Sequence, residues 1–305
     1  MRLLPRRGPK REPLIRPEDI LLSKRITWRI DEPFTIFECR DFLPNSIYEE
    51  LSRSFPDELL GSRIDEDALQ VRLTNVSGDA AWRSFIRENP IWHDLVNSMS
   101  SRQFISDALR VFEGPIHHRA TMPDHHWTWR LLRRQLVRSW WNYVSDFDIN
   151  LSLGGYYLSP HTDSGKKVLA LMFYFPRPDQ TDFETLAGTG FFRARFAQPV
   201  SAHGPSRITR RTDERRWHEE GNGEREARFL AEYERFHVSR FRANHVAGFI
   251  KSGESWHDCD LRPLPISERR RVMLFNINLR QIGQAMRRTS SLRFRRRDVI
   301  EGVAS

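Results

Sequence analysis

Short continuous runs of hydrophobic residues dominate the second half of the chain and predict buried strands. These runs occupy 147–153, 168–175, 244–250 and 271–278, and segments rich in Gly, Pro and charged residues separate them. No helix-length pattern alternates regularly with the strands, as it would in a parallel α/β fold. The pattern therefore predicts antiparallel sheets.

The first half of the chain predicts helices instead. Segment 44–55 places Ile47, Leu51 and Phe55 at helical spacing. Further helices are predicted at 80–87, 90–99 and 101–112, and a short strand at 35–39. Helices followed by strands favour a mixed α+β protein, with a double-sheet antiparallel core and N-terminal helices packed on one sheet. The periodicity of 131–143 fits a strand pair and a helix equally well.

The length of the chain is sufficient for one large core. Of 305 residues, 39% are hydrophobic, and we expect a single domain over 26–286 with its functional core at about 140–280. A strongly polar stretch at 197–228 is interpreted as an insertion. After it, Phe229, Tyr233 and Phe236 are helically spaced and predict a short helix.

The formal charge of +9 is concentrated at the two ends of the chain. Residues 1–25 carry a net +5 and residues 287–305 a net +4, so the body is nearly neutral. We expect a basic flexible arm and a basic tail that can contact an anionic surface. No sequence-specific nucleic-acid motif accompanies them.

The cellular compartment is predicted from the cysteines and from the lengths of the apolar runs. Cys39 and Cys259 make no disulfide framework, so a reducing compartment is the default. No apolar stretch has the length of a signal peptide or of a transmembrane segment. We therefore expect a soluble, cytoplasmic protein.

His161 and Asp163 are the first candidates for chemistry. Side chains two residues apart on extended backbone point the same way, so an imidazole and a carboxylate can bind one metal ion. His257, just ahead of the run 271–278, can supply a second imidazole. Two His and one carboxylate leave one face of iron(II) open, whereas structural zinc favours a closed, Cys-rich shell.

An ordered set of motifs surrounds these three residues. It consists of Gly154-Gly-Tyr-Tyr-Leu-Ser-Pro-His-Thr-Asp163, Lys167 before a strand, Gly188-Thr-Gly-Phe-Phe192, Asn244-x-x-x-Gly248-Phe249, Ser255-Trp-His257 and a basic residue opening the last strand. Over about residues 140–280 this set resembles the iron(II)- and 2-oxoglutarate-dependent dioxygenases, in their prolyl-hydroxylase-like branch. The resemblance implies a double-stranded β-helix, or jelly roll, with His161, Asp163 and His257 at its open end.

The resemblance also implies cofactors and a reaction. Fe(II) and 2-oxoglutarate would bind together, and oxygen would convert 2-oxoglutarate to succinate and CO2 while a substrate is hydroxylated. The far carboxylate of 2-oxoglutarate needs a cation, for which the candidates are Arg269, Arg270 and Arg271. Arg270 and Arg271 cannot both face inward on a strand, and Arg271 is preferred. Its spacing of fourteen from His257 is longer than is usual in the family.

Other residues near the motif have weaker signals. Tyr174 is a candidate second contact to that carboxylate, although an ordinary core tyrosine explains it equally well. Tyr157, Lys167 and Trp256 flank the metal motif and are candidates for substrate contact. The substrate, a small molecule or a peptide, and the oligomeric state are left open by the sequence.

Two alternatives to the dioxygenase remain open. One is a non-catalytic jelly-roll protein that keeps the triad for zinc or nickel, and the other is an anionic-surface binding protein that acts through its basic ends. A separate zinc site at His117, His118, His125 and His126 is disfavoured, because these residues lack Cys partners and a helical i, i+4 register. A loop near the active-site mouth is the preferred interpretation.

Overall fold

The computed structural model describes residues 11–64, 69–76, 79–121, 143–163, 166–180, 183–196 and 222–280. Its helices are mostly in the first half of the chain, as predicted. They are α1 (Leu22–Arg25), α2 (Asn45–Arg53), α3 (Asp57–Gly61), α4 (Ala80–Glu88), α5 (Pro90–Met99), α6 (Arg102–Val111), α7 (Glu113–Thr121) and α8 (Asn222–Glu232), with a 3-10 turn at Pro17–Asp19.

The strands form two antiparallel sheets. They are β1 (Trp28–Ile30), β2 (Ile36–Cys39), β3 (Gln70–Thr74), β4 (Tyr143–Leu153), β5 (Tyr157–His161), β6 (Lys167–Tyr174), β7 (Gly190–Ala194), β8 (Tyr233–Val238), β9 (Val246–Ile250), β10 (His257–Asp260) and β11 (Arg269–Leu279). The seven-stranded sheet has the order β1-β2-β9-β6-β11-β4-β3, and the four-stranded sheet has the order β5-β10-β7-β8. The mixed fold with antiparallel sheets is thus confirmed.

The helices cover one face of the large sheet, which we call the outer face. Alternate residues of β4 and β11, such as Phe147 and Phe275, are fully buried there with Trp92 of α5 and Phe104 of α6. The rings of Phe104 and Phe275 lie 5.6 Å apart. Amphipathic helices bury their apolar stripe on this face, as the spacing of Leu51 and its neighbours indicates.

The opposite, inner face of the large sheet packs against the small sheet. A second hydrophobic cluster joins Met172 of β6 and Phe249 of β9 to Phe191 of β7 and Cys259 of β10. The rings of Phe191 and Phe249 are 5.8 Å apart in an edge-on arrangement. No strand pairing joins the two sheets among the described residues. The closed jelly roll therefore stays a prediction.

The N-terminal segment differs from the expected arm over the part that the structure describes. Ile15, Ile20 and Leu22 are buried in the same core as the helices. The Ser98 hydroxyl donates a hydrogen bond to the Ile15 carbonyl at 2.6 Å. Prolines interrupt regular helix in this segment, but they leave its apolar residues free to pack on the domain. The prediction of an arm over 1–25 is thus wrong from Ile15 onward.

A second difference lies after the polar stretch. Phe229 belongs to α8, as predicted, but Tyr233 and Phe236 belong to β8, which pairs with β7. Strand pairing at the edge of the small sheet therefore overrides the helical spacing of these aromatic residues. The stretch 197–221, segment 131–142, His125, His126 and the tail 287–305 lie outside the described residues.

Candidate metal centre

The strand register brings the two candidate histidines together. In the antiparallel pair β5–β10, His161 is the direct partner of His257. Their ring centroids are 4.3 Å apart. Asp163 follows the end of β5, and its Oδ2 lies 3.6 Å from Nε2 of His257. The ligand atoms of these three residues all lie within 4.8 Å of one another, which no other group of His, Cys, Asp or Glu achieves in the part of the chain that the structure describes.

Both imidazoles are oriented by backbone carbonyls. Nδ1 of His161 donates to the carbonyl of Ser159, and Nδ1 of His257 donates to the carbonyl of Ser255, each at 2.9 Å. A hydrogen bond that holds the proton on Nδ1 leaves Nε2 as a bare lone pair. Each ring is therefore in the tautomer that binds a metal through Nε2.

The carboxylate of Asp163 has unused acceptor capacity. Its Oδ2 is buried and accepts no hydrogen bond, although the ammonium of Lys167 forms an ion pair with it at 2.8 Å. Burial raises the pKa of Asp163, but the charges of Lys167, His257 and His161 outweigh it and lower the pKa overall. The group is thus a buried anion that already attracts one cation, the ammonium of Lys167.

The protonation of His257 also suits a metal ligand. Burial, reinforced by the neighbouring charge of His161, lowers the pKa of His257 to about 3. A neutral imidazole at physiological pH binds a metal without first losing a proton. Two imidazole nitrogens and one carboxylate oxygen fit a divalent transition metal that keeps an open face.

Arg270 lies on the inner face, between the two sheets. Its side chain is 5% exposed, and its guanidinium donates to the carbonyl of Ala187 at 2.7 Å and to Oγ1 of Thr189 at 3.2 Å. No carboxylate forms an ion pair with it among the described residues. Burying a cation whose hydrogen bonds all go to neutral groups costs free energy, and pairing with an anion offsets that cost. Arg270 is therefore a candidate anion-binding residue.

Tyr174 and Thr189 place Arg270 relative to the metal candidates. The guanidinium lies 5.4 Å from the centre of the Tyr174 ring. Tyr174 is buried, and its hydroxyl bonds Oγ1 of Thr189 at 3.1 Å and Oγ of Ser239 at 2.6 Å. Thr189 precedes β7, whose Gly190 pairs with Asp258, one residue after His257. Thr189, which accepts from Arg270, thus lies two residues before Phe191, the cross-strand partner of His257.

Arg271 faces the helices on the outer side. Its Nε donates to the carbonyl of Phe175 at 2.7 Å, and its Nη1 lies 3.1 Å from Oδ2 of Asp57 in α3. Strand alternation separates it from Arg270. Arg269, next to them, is half-buried. Of the three candidate arginines, Arg270 is therefore the one that the strand directs between the sheets.

The three residues flanking the motif have different surroundings. Lys167 contacts Asp163, as described above. The Tyr157 hydroxyl donates to Glu226 of α8 at 2.8 Å, and the guanidinium of Arg262 lies 3.7 Å from the centre of its ring. Trp256 is 2% exposed and packs against Phe229 at a ring distance of 5.0 Å. Tyr157 and Trp256 thus anchor α8 to the small sheet.

Sequence reasoning did not single out the polar side chains of β4 and β11. Asn276 and Asn278 interrupt the apolar run 271–278, and Asp146 immediately precedes the run 147–153, so this signal was present in the sequence. Of the His-rich segment, His117 lies in α7, 3.4 Å from Glu113. The side chain of His118 lies outside the described residues, as do His125 and His126.

No described helix is long and apolar enough to span a bilayer.

Comparisons with known proteins return structures but no sequence families. No family model and no curated protein matches the chain. A prolyl-4-hydroxylase of Pseudomonas putida is similar at 11% identity over 80% of this chain and 92% of that chain, with a TM-score of 0.38.

Two further solved structures are similar at the same level. The first is a prolyl hydroxylase of Trichoplax adhaerens in complex with a hypoxia inducible factor oxygen degradation domain peptide fragment, at 10% identity over 80% and 83% of the chains and a TM-score of 0.40. The second is the Fe(II)/α-ketoglutarate-dependent dioxygenase TqaL, at 9% identity over 77% and 76% of the chains and a TM-score of 0.38. By its ordered motifs and its His–Asp–His group, this chain itself resembles the iron(II)- and 2-oxoglutarate-dependent dioxygenases, in their prolyl-hydroxylase-like branch.

Proposed function

We propose that this protein is an iron(II)- and 2-oxoglutarate-dependent dioxygenase, built on a jelly roll, that hydroxylates its substrate with O2 and releases succinate and CO2. The observation that carries the proposal is the triad of His161, Asp163 and His257, whose ligand atoms lie within 4.8 Å. The two locked Nε2 atoms and the carboxylate of Asp163 make a donor set for one metal ion with an open face.

Each protein group has a defined part in this proposal. His161, His257 and Asp163 would hold the iron, which supplies the redox chemistry when bound. Arg270 would bind the far carboxylate of 2-oxoglutarate by a charge-assisted pair, replacing its bonds to neutral groups. The Tyr174 hydroxyl lies beside the same Thr189 and would donate to that carboxylate. We assign the clamp to Arg270 rather than Arg271, since Arg271 is engaged by Asp57.

The lining of the site supports the same assignment. Met172, Val272 and Phe191 contribute buried apolar side chains to the cluster between the sheets. Water is excluded from such surroundings, so an ion pair formed there is stronger than one in solvent. A dicarboxylate anchored at Arg270 would thereby reach toward the metal in a fixed orientation.

The proposal is tested by oxygen-dependent succinate formation. Protein purified without oxygen is given Fe(II), 2-oxoglutarate and then O2, and succinate is measured in the absence and presence of a panel of substrate classes. We expect succinate from the wild type and from His93→Ala, whose exposed ring on α5 contacts Asn97, and none from His161→Ala. Equal turnover by His161→Ala would refute the proposal. Metal binding without succinate would favour the alternative of a non-catalytic metal-binding protein.

A further inference from the structure

A row of polar side chains lines the inner face of the large sheet beside the metal candidates. Outward residues of β4 and β11 such as Phe147, Ile149, Phe275 and Ile277 belong to the outer core, so the residues between them point inward. Asp146 is the direct partner of Asn276 in the pairing of these strands, and Asp148 is the partner of Leu274. We call this set the inner polar row, and its members are Asp146, Asp148, Asn276 and Asn278.

The row begins next to the metal motif. Asn278 is the cross-strand partner of Lys167, whose ammonium lies 2.8 Å from Asp163. A bulge between Ile277 and Asn278 shifts the pairing, so that Val168 and Leu169 both enter the outer core and Lys167 is left on the inner face. Cross-strand neighbours lie about 5 Å apart. The row is therefore adjacent to the site where the metal would bind.

The side-chain amide oxygen of Asn278 accepts no hydrogen bond from any residue that the structure describes. Its Nδ2 donates to Oδ2 of Asp146 at 2.5 Å, which fixes Oδ1 as the opposite atom of the amide. The side chain is 2% exposed, and Oδ1 is buried without a hydrogen bond. Asn276, also on this face, is 6% exposed. Buried amide oxygens normally have partners, so Oδ1 of Asn278 indicates a bound donor.

The carboxylates of the row add negative charge to these acceptors. Burial raises the pKa of Asp146; the charge of Asp148 raises it further, while Lys166 and Lys167 oppose the rise. Asp148 makes no ion pair or hydrogen bond with a residue that the structure describes. Lys167 is directed to Asp163, and Lys166 is exposed. The row thus offers two carboxylates and one unpaired, buried amide oxygen on one face.

We propose that the inner polar row binds a cationic N–H donor of the substrate, an ammonium or guanidinium group, and holds it beside the metal site. The chemistry fits both a basic side chain within a peptide and a free small amine. The inference rests on the proposed function for the oxidation that follows, but the binding itself does not require turnover. The carbon chain next to the cation would be the part presented for hydroxylation.

The test uses four probes on anaerobic protein with Fe(II) and 2-oxoglutarate, and binding is measured by calorimetry. Nα-acetyl-L-lysine amide and Nα-acetyl-L-arginine amide represent basic side chains, and 1,5-diaminopentane represents a free amine. Nα-acetyl-L-norleucine amide is the uncharged match. We expect at least one cationic probe to bind about tenfold more tightly than norleucine amide, the size of one partly desolvated ion pair.

Variants of the inner polar row show whether the preference for cationic probes arises from its residues. Asp148→Asn and Asp146→Asn, each made alone, should weaken the binding of the cationic probe about tenfold. Asp179→Asn, the same change at a carboxylate with 71% exposure, should leave it unaltered. Equal binding of charged and uncharged probes, or no effect of both row variants, would overturn the inference.

A readout without probe separates this inference from the proposed function. The same samples are examined for a visible charge-transfer band from Fe(II) and 2-oxoglutarate before any probe is added. A band without cationic preference overturns the row alone. Cationic preference that depends on Asp148, in protein without a band, supports the row and counts against the dioxygenase.

Discussion

His161 and His257 are direct cross-strand partners, and each ring donates its Nδ1 proton to the carbonyl two residues before it. The two strand ends therefore present the same local arrangement from opposite directions. Because the carbonyl bonds fix both tautomers, the Nε2 atoms are aligned before any metal binds. Preorganisation of this kind reduces the entropy lost on binding.

The first prediction concerns the clamp for 2-oxoglutarate. Arg270→Ala removes the buried cation between the sheets, so the affinity for 2-oxoglutarate should fall by at least about 30-fold, equivalent to about 2 kcal/mol. Calorimetric titration of anaerobic, Fe(II)-loaded protein measures this change.

Arg271→Ala is the matched control, because its guanidinium pairs with Asp57 on the opposite face. It should lower the midpoint of thermal unfolding while leaving 2-oxoglutarate affinity within about threefold of the wild type. A larger loss of affinity for Arg271→Ala than for Arg270→Ala would place the clamp at Arg271.

The second prediction concerns the N-terminal segment. Ile15 is 2% exposed in the helical core, whereas its neighbour Leu14 is 43% exposed. Ile15→Ala should lower the free energy of unfolding by about 2 to 5 kcal/mol, since it removes buried methyl groups and leaves a cavity. Leu14→Ala should change it by about 0.5 kcal/mol or less. Urea denaturation compares the two, and equal small effects would show that the segment does not pack as described.

The third prediction concerns Glu38, which links the edges of the two sheets. Its carboxylate contacts Nε2 of His237 in β8 at 2.8 Å and Nε2 of His245 at 3.3 Å. Burial raises the pKa of Glu38, but the hydrogen bonds and charges of the two histidines lower it overall, from 4.5 to about 2. The carboxylate thus contributes stability that is present above pH 4.5 and is lost as the pH falls toward 2.

Glu38→Gln should remove this dependence. The stability difference between wild type and Glu38→Gln should shrink steadily as the pH falls below about 5, because the wild type takes up a proton on unfolding there. Glu58→Gln, at an exposed position of α3, should track the wild type at all pH values. A difference that grows on acidification would contradict the assigned ion pairs.

The sequence was sufficient for the parts of the fold with strong local patterns. The helical spacing of Leu51 and Phe104 predicts elements that the structure places on the outer face, because amphipathic stripes report burial directly. Tyr233 and Phe236 show where this reasoning stops: their spacing is helical, but pairing with β7 makes them a strand. Strand pairing is a long-range interaction, which local periodicity does not record.

The same limit applies to the site. His161 and Asp163 are close in sequence, so alternation alone predicts that they share a face. The face toward which Arg270 or Arg271 points depends on the register of β11. A register shift of one residue would move each side chain to the opposite face of the sheet. The pairing of Asn278 with Lys167 depends in turn on a bulge at Val168, which no sequence pattern marks.

The most direct test of the account is the visible spectrum of the anaerobic protein during titration with Fe(II) and 2-oxoglutarate. We predict a metal-to-ligand charge-transfer band that saturates at one iron per chain, persists in His93→Ala and is absent in both His161→Ala and His257→Ala. Iron content and circular dichroism of each variant establish that a lost band reflects the lost ligand and not an unfolded chain. A band of full intensity in folded His161→Ala or His257→Ala would contradict the assignment of the metal to His161, Asp163 and His257.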